Sequence, residues 1–507
     1  MSTTEDPVLE DDIGEESRAM GIKILPVAAL GCAVGLLCAL SPLAGIGMAL
    51  LVGVLILFQW WRDSVAVLAI ALIYSNAVVI LAQRGTVPTA ASALLLAALA
   101  LVILRDMVQN RSLPPALPGV PFVLLFAAMQ CLSAMLSVSP DVAQAEFYSS
   151  LGEGIILFLL VGYAVRATGT LMSVVHALLF VGAVLGALSA IQNLTGDYTN
   201  TFFGFAGVSN ASVPGGPEAD ENLQMRLNGN IGETNRYAQV LAVLLPLAAV
   251  RLATTSSVVV RLLTCLAAGL IGAGVVFTYS RGTAVALVAT LITLVIMRWV
   301  RLRWLVGGVV MLVVLGLSVP GYAERLSSVT TILGATEQSG SSEAADNAVR
   351  GRTTEVIAAL LVFADRPILG VGPDVFPVVY PEYAAQVGIL PRLEEREAHN
   401  LYAGIAAETG LLGLIPFLLL LWRLVTGLAR ASAQWWPVDR TRALLARGFL
   451  AAVLVYAYSG LFLHLSYVRY FWLLMALAAA TARLPGSNGD DGGHHSQDAD
   501  TEATTRV

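Results

Sequence analysis

The sequence predicts an all-α polytopic integral membrane protein with about 12–14 transmembrane helices and a large extracytoplasmic loop that carries amphipathic helices. Of its 507 residues, 57% are hydrophobic and 13% are charged, and soluble proteins carry about twice that charged share. Mean hydropathy is +0.76. Four Cys residues exclude a secreted disulfide scaffold. The hydrophobic content excludes a disordered chain, and no basic patch indicates a nucleic-acid partner.

Two polar tails flank the apolar region, which we take as a transmembrane domain over 21–484. Residues 1–20 are rich in acidic side chains, whereas a secretory signal begins with positive charge. Residues 485–507 are rich in Gly, Ser and Asp. Such compositions are typical of disorder, so we predict two disordered cytoplasmic tails. His494 and His495 in the second tail could bind a metal, but a solvated tail is the simpler interpretation.

Fourteen apolar segments approach the length of about 20 residues that a spanning helix needs. They are 22–40, 43–60, 64–82, 87–104, 119–138, 149–165, 171–192, 235–251, 259–279, 282–298, 304–320, 401–422, 447–463 and 468–483. Loops on the side of the N-terminus carry most of the basic residues, and the short loops on the other side carry only Arg84, Arg281 and Arg469. By the positive-inside rule both termini are predicted in the cytoplasm.

Two long segments fall on the predicted outer side, 193–234 and 321–400. Long loops in compact proteins are usually functional. The positive-inside rule expects few basic residues on the outer side, yet many lie in these two segments or at their edges. They are Arg226, Arg236, Arg325, Arg350, Arg352, Arg366, Arg392 and Arg396. Guanidinium groups match phosphate geometry, so they are consistent with an anionic ligand. Ordinary loop charge, balanced by acids such as Glu394, Glu395 and Glu397, is the alternative.

The second loop contains an amphipathic pattern and a histidine at its end. Residues 350–366 place apolar side chains at helical spacing, and their charged flanks favour an interfacial helix over a span. His399 stands where the loop enters the next span. Its ordinary pKa lets it accept a proton near neutral pH. If the anionic ligand of the arginines is a diphosphate leaving group, a base beside it is the arrangement that a glycosyl-transfer site needs.

Residues 228–425 resemble the bacterial O-antigen ligases and their relatives. The resemblance rests on a spaced motif: the pair His399-Asn400 is followed after nine residues by Gly410, and after two more residues by Gly413. Four further segments occur in the expected order: GETNRYAQVLAVLLPLA at 232–248, TYSRGTAVAL at 278–287, GRTTEV at 351–356 and DRPILGVGPDVF at 365–376. The relatives include surface-polysaccharide polymerases and protein O-oligosaccharyltransferases. The family usually has about twelve spans.

The resemblance implies a metal-independent glycosyltransferase without a cofactor, in the bacterial inner membrane with its active site facing outside. The donor would be a glycan on undecaprenyl diphosphate, and the acceptor a hydroxyl of lipid A-core or of a glycan. It implies His399 as the general base, with Arg281 and Arg352 stabilising the diphosphate. Further substrate-binding candidates are Arg236, Arg350, Asn400 and Asn235.

Two other functions remain open: an O-antigen or exopolysaccharide polymerase with the same site, and a transporter of small anions or sugars. No internal repeat, which transporters tend to show, is evident.

Several single residues also have two interpretations. Asn235 and Glu233 could cap a helix, and His464 could contact the donor or serve as an interfacial anchor with Arg469. Glu153 lies within an apolar span, where an acid is a functional candidate, although it could reach the interface.

Overall fold

The computed structural model describes residues 63–88, 91–209, 225–318, 342–389, 394–464 and 468–483. The chain divides into two compact units, 1–65 and 66–507, and the architecture below is that of the second. The predicted spans 22–40 and 43–60 and both predicted tails lie outside the described residues.

The described part of the chain is almost entirely helical. In chain order its α-helices are α1 (Asp63–Tyr74), α2 (Ala77–Gln83), α3 (Ala91–Asn110), α4 (Val120–Met135), α5 (Pro140–Ser150), α6 (Leu157–Thr168), α7 (Leu171–Thr195), α8 (Thr234–Ala242), α9 (Leu244–Thr254), α10 (Val258–Phe277), α11 (Arg281–Ile296), α12 (Leu302–Ser318), α13 (Ser342–Asp365), α14 (Phe376–Val387), α15 (Leu401–Trp435), α16 (Arg440–Ser459) and α17 (Val468–Ala482). A π-helical turn, Leu151–Ile156, joins α5 to α6, and a 3₁₀ turn, Phe202–Gly204, follows α7. Two short antiparallel strands, β1 (Val208–Ser209) and β2 (Arg226–Leu227), pair with each other.

Each of the twelve predicted spans that falls on described residues coincides with a helix or a pair of helices. Seven of these helical segments are long and apolar enough to cross a membrane, and α1 and α2, bent by 59°, add an eighth if they form one span. The all-α polytopic fold class is therefore confirmed. The apolar helices α4, α11 and α17 are shorter, and the total number of spans stays a prediction.

The predicted span 235–251 is broken into α8 and α9 at Val243. Pro246 explains the break, because proline lacks the N–H that would bond to the carbonyl of Ala242 four residues earlier. The two closely spaced pairs of predicted spans are separate helices, α10 with α11 and α16 with α17.

The helices of the predicted loop dock onto the spans. Helix α13 packs on α14 and on α15. A buried apolar cluster joins these helices to α4 and α5, and its members are Ala134, Ala143, Ala358, Ala359, Val362, Val371, Val375, Phe376, Tyr380, Ala384, Ala398, Ala403 and Ala407. The predicted helix at 350–366 is thus present but begins earlier, at Ser342. Burial of this cluster from water is the main favourable term that fixes α13 in place.

Helix α15 is interrupted at Gly410, and the interruption ties it to the segment after α13. Gly410 has φ 61° and ψ −163°, a conformation that only glycine adopts readily. The carbonyls of Ala407 and Glu408 accept hydrogen bonds from Val371 N (3.0 Å) and Gly372 N (2.9 Å). In an unbroken helix they would accept from residues 411 and 412.

The two amides released by the same break also bond to that segment. Leu411 N donates to Pro367 O (2.8 Å), and Leu412 N donates to Ile368 O (3.2 Å). The broken turn therefore exchanges its own hydrogen bonds for bonds to residues 367–372, which we call the Pro–Gly-x-Gly segment. No backbone group of this exchange is left unpaired. Gly370 lies so close to the carbonyl of Glu408 that a Cβ there would overlap it. These contacts hold α13 in register with the start of α15.

Candidate functional site

The candidate site forms where three helix starts meet one turn. Helices α8, α11 and α15 begin beside the turn 461–464 that follows α16. Leu401 N donates to Gly460 O (2.7 Å), and a Cβ on Gly282 would touch Phe462 at 3.0 Å. Arg236 donates through NH2 to the carbonyl of His464 (2.9 Å). The amino ends of helices carry partial positive charge and free N–H groups, so this end of the bundle favours an anionic ligand.

His399 lies immediately before α15 with φ 44°, in the left-handed region that few non-glycine residues occupy. Its ring Nδ1 is 3.0 Å from Oε2 of Glu355 and 3.1 Å from the carbonyl oxygen of Glu397. The Glu355 side chain, from α13, is 2% exposed, and the His399 side chain is 24% exposed. The structure thus places the candidate base between the loop helix and the membrane helix.

A second histidine shares the site. The rings of His399 and His464 meet edge to face with centroids 5.6 Å apart. Burial lowers the pKa of His464 well below its ordinary value, and the positive charge of Arg236 lowers it further. Burial also lowers the pKa of His399, but the hydrogen bond and negative charge of Glu355 more than compensate, so the pKa is raised overall. The neighbouring imidazoles therefore differ in protonation, with His399 the stronger base.

Glu397 completes the polar cluster around the two histidines. Its Oε1 is 3.9 Å from Nε2 of His464. Burial and the nearby negative charge of Asp374 raise the pKa of Glu397 to about 7, although His399 and Arg236 act against this rise. A carboxyl group with this pKa exchanges protons in the same pH range as an imidazole.

Arg350 and Arg352 lie on α13, close to Glu355. Both are exposed. Glu355, one turn after Arg352 on α13, contacts His399, so the docking of α13 places Arg352 on the helix that faces His399, and its charge lowers the pKa of His399. Within the described part of the chain, no carboxylate forms an ion pair with Arg352. The exposure of its guanidinium is compatible with contact to an anionic ligand.

Arg236 is instead built into the structure. Its side chain is 1% exposed, and its Nε is 3.0 Å from Oε2 of Glu233. Arg396 likewise pairs with Glu394 (3.3 Å). These two arginines are therefore balanced by nearby acids, as expected if the basic residues of the loops are ordinary loop charge.

The interpretation of Asn235 and Glu233 as a helix cap is wrong. Glu233 occupies the N-cap position without a side-chain cap bond, because its carboxylate binds Arg236.

Asn235 and Arg281 lie on neighbouring helix starts. Oδ1 of Asn235 accepts from NH2 of Arg226 (3.0 Å), and Nε of Arg226 donates to Thr278 O (3.0 Å). Arg226 therefore links β2 and α8 to the α10–α11 turn. Arg281 is the first residue of α11 and is half-buried. It lies next to Gly282, which contacts the turn that leads to His464.

Asn400 caps α15. Its Oδ1 accepts from Tyr402 N and Ala403 N, each at 3.0 Å, and its Nδ2 donates to Leu461 O (3.1 Å). An N-cap of this kind contributes about 1 kcal/mol. Asn400 thereby fixes the backbone beside His399, and any contact with substrate stays a prediction.

The sequence interpretation missed Glu355 and gave His464 a minor role. Glu355 lies inside an amphipathic helix, where an acid usually faces water. A signal was nevertheless present, since Glu355 lies one helical turn after Arg352 and next to the apolar Val356. Its burial depends on the docking of α13.

Two other polar residues from the sequence have partners elsewhere. Glu153, in the π-helical turn, pairs with Arg469 at 2.7 Å, and Arg469 also donates to Asn76 (2.7 Å). His176 accepts from Arg251 (2.6 Å). Among the described residues, no group of three or more His, Cys, Asp or Glu side chains is arranged to hold a metal ion.

Comparison with known families identifies the region that contains most of this site. A family model described as O-antigen ligase matches residues 266–418. The match includes Arg281, Arg350, Arg352, His399 and Asn400, whereas Asn235 and Arg236 precede it. No curated protein matches the chain. The matched region and the polytopic helical fold support the resemblance of this chain to the O-antigen ligase and polymerase superfamily.

Proposed function

We propose that this protein is a ligase-type membrane glycosyltransferase that moves a glycan from undecaprenyl diphosphate to an acceptor hydroxyl. The match of residues 266–418 to the O-antigen ligase model and the candidate membrane helices support a glycan ligase or polymerase of surface-polysaccharide synthesis in the bacterial inner membrane. The donor, the roles of individual residues and the outward orientation of the site are our proposal. The observation that carries it is the contact of the His399 imidazole with Glu355 of α13, the helix that also carries the exposed guanidinium of Arg352.

The polarity of the His399 ring supports its role as general base. Both neighbours of Nδ1, the carbonyl of Glu397 and the carboxylate of Glu355, are hydrogen-bond acceptors. The neutral ring therefore carries its proton on Nδ1, which leaves the lone pair on Nε2 to accept a proton. An acceptor hydroxyl would lose its proton to Nε2 as its oxygen attacks the anomeric carbon.

The bond to the lipid diphosphate breaks as the new glycosidic bond forms, and the diphosphate leaves with the electron pair. In-line attack inverts the anomeric centre. Arg352 and Arg281 would stabilise the developing negative charge, together with the amino end of α11. Fixed donors of this kind contribute several kcal/mol in a partly dry site. The proton on His399 then passes to the leaving group or to water, which restores the base.

Deletion of the gene in its host, followed by complementation, tests this function. Lipid-linked glycans are sized by gel in strains that express wild type, His399→Ala or His176→Ala. We expect His399→Ala to lower turnover by about 10²–10⁴-fold while donor binding is retained. His176→Ala is the matched control, because His176 bonds to Arg251 near the far end of the α8–α9 segment from Arg236.

The accumulating species distinguishes the candidate functions. Long polymer that remains on undecaprenyl diphosphate would indicate a ligase. Single repeats without polymer would indicate the polymerase alternative with the same site. A normal glycan profile in both the deletion and the His399→Ala strains would contradict a glycosyltransferase and favour the transporter.

A further inference from the structure

We propose that Glu355 is a positioning residue of the catalytic base: its carboxylate, 3.0 Å from Nδ1 of His399, acts with the carbonyl of Glu397 to favour the proton on Nδ1 and leaves Nε2 to face the acceptor hydroxyl. This inference rests on the proposed function for its catalytic consequence, but the contact itself does not depend on which glycan is transferred. Glu355 does not touch the reacting atoms. It would act through the orientation and charge of the imidazole.

The first support is the burial of the carboxylate. Glu355 is 2% exposed on a helix whose neighbouring charged side chains, Arg350 and Arg352, are exposed. Burial of an unpaired carboxylate costs many kcal/mol, so such groups are retained only with charged or hydrogen-bonding partners. The partners here are His399 Nδ1 at 3.0 Å from Oε2 and Arg396 NH1 at 3.9 Å from Oε1. His399 is the nearer of the two. Oε2 makes no other hydrogen bond among the described residues, so the charge of this buried carboxylate acts chiefly on the imidazole.

The second support is the backbone of His399. A non-glycine residue at φ 44° is strained, and such strain persists only where the surroundings impose it. The contacts on either side supply that constraint. Asn400 is fixed by the cap and by its bond to Leu461, and Nδ1 reaches both Glu355 and the carbonyl of Glu397. The imidazole is therefore held in one orientation by the fixed backbone on one side and by the contacts of Nδ1 on the other.

The third support is electrostatic. Several charged or titratable groups surround His399. Helix α13 contributes Glu355 and Arg352, the segment of His399 itself contributes Arg396 and Glu397, and the 461–464 turn contributes His464. Arg236 of α8 bonds to the carbonyl of His464, and its charge acts on His464 and Glu397. Burial and Arg352 lower the pKa of His399, whereas the hydrogen bond and charge of Glu355 and the carbonyl of Glu397 raise it, and the net shift is upward. Because His399 acquires a proton during transfer, a fixed negative charge at Nδ1 stabilises the imidazolium that forms.

The sign of the pH effect follows from this arrangement. A general base works in its neutral form, so turnover rises with pH through the pKa of His399. Removal of the Glu355 charge lowers that pKa, and the acid limb of the pH profile should move to lower pH. A purely structural role of Glu355 would lower the amount of folded enzyme without moving this limb.

The test is NMR of the full-length protein in lipid nanodiscs, with histidine labelled by ¹³C and ¹⁵N. The chain has five His residues, so the His399 signals can be assigned by comparison with His399→Gln. The ¹⁵N shifts report which ring nitrogen carries the proton, and a pH titration gives the midpoint. Wild type, Glu355→Gln, Glu355→Asp and Glu382→Gln are compared without any ligand. Glu382 is an exposed acid on α14 and is the matched control.

We expect neutral His399 in wild type to carry its proton on Nδ1 and to titrate above the ordinary value of 6.5. Glu355→Gln should lower the midpoint, Glu355→Asp should restore part of it, and Glu382→Gln should leave it unchanged. In the glycan assay, Glu355→Gln should lower turnover by about 10–100-fold, the usual effect of losing a residue that orients a functional histidine.

A wild-type ring protonated on Nε2, or an equal midpoint in wild type and Glu355→Gln, would overturn the inference. If Glu355→Gln does not fold, Glu355→Asp decides the question, since a midpoint equal to that of wild type would refute the role of the Glu355 charge. Failure of the proposed function is distinguishable: the titration would then behave as expected while His399→Ala leaves the glycan profile unchanged. If His399→Ala stops transfer but the tautomer is the wrong one, the base stands and the role of Glu355 is refuted.

Discussion

Replacement of Gly410 by alanine tests how the loop helix is held against the membrane helix. The Gly410 conformation, φ 61° and ψ −163°, costs a non-glycine residue about 1–3 kcal/mol. A Cβ would also overlap the backbone of Ile368 and Leu369. The chain would have to separate there, which sacrifices the hydrogen bonds from Leu411 and Leu412 to the Pro–Gly-x-Gly segment, at about 1 kcal/mol each. We expect Gly410→Ala to destabilise the protein by about 3–5 kcal/mol.

Two other glycines separate the components of this effect. Gly388 ends α14 with φ 70°, and no atom lies within 4 Å of its hypothetical Cβ, so Gly388→Ala should cost only the backbone strain, about 1–2 kcal/mol. Gly404 lies in the first turn of α15, where a Cβ would make an ordinary 3.6 Å contact with Ala398. Gly404→Ala should be neutral or should stabilise by up to about 1 kcal/mol.

The assay is the apparent melting temperature of each purified variant in the same detergent, together with glycan transfer in membranes. We expect the melting temperature to decrease from Gly404→Ala, through wild type and Gly388→Ala, to Gly410→Ala. Gly410→Ala should also lose more transfer activity than its melting temperature explains, because α13 carries Arg352 and Glu355. If Gly410→Ala melts no lower than Gly388→Ala, the close approach between α15 and the Pro–Gly-x-Gly segment does not contribute as argued.

Two further predictions concern charge. Arg352→Ala should weaken donor binding and lower turnover by about 10²-fold, and Arg352→Lys should be intermediate because lysine keeps the charge without the planar fork. Glu397→Gln should flatten the pH dependence of stability. The folded-state pKa of Glu397, about 7, lies above its ordinary 4.5, so its protonated form stabilises the fold at low pH and this contribution is lost as pH rises through about 7. The melting temperature of wild type should therefore fall more from pH 5 to pH 8 than that of Glu397→Gln.

Each of these predictions has a control on the same segment. Arg366→Ala removes an exposed guanidinium directly after α13 and should leave donor binding unchanged; equal losses in Arg366→Ala and Arg352→Ala would show only a general need for positive charge. Glu394 is 76% exposed, so Glu394→Gln should keep the wild-type pH dependence. A Glu397→Gln curve parallel to wild type would show that this carboxyl group does not titrate as described.

The sequence by itself determined the fold class of the protein and predicted where its chemistry lies. Hydropathy is a local property, and a segment of about 20 apolar residues has few alternatives to a helix in a membrane. For that reason the twelve predicted segments within the described residues are helical. The His399–Gly413 motif likewise indicated the superfamily, because all its residues lie within one short stretch of the chain.

Only the tertiary structure decided which side chains act together. Arg236 and Arg352 are equivalent in sequence as basic residues of the same predicted side. Arg236 is nevertheless buried against Glu233, whereas Arg352 is exposed and pairs with no acid among the described residues. Glu355 meets His399 because α13 docks on α15, and that docking depends on the hydrogen-bond exchange at Gly410. Burial, pairing and pKa arise from contacts between segments distant in sequence, and no local pattern contains them.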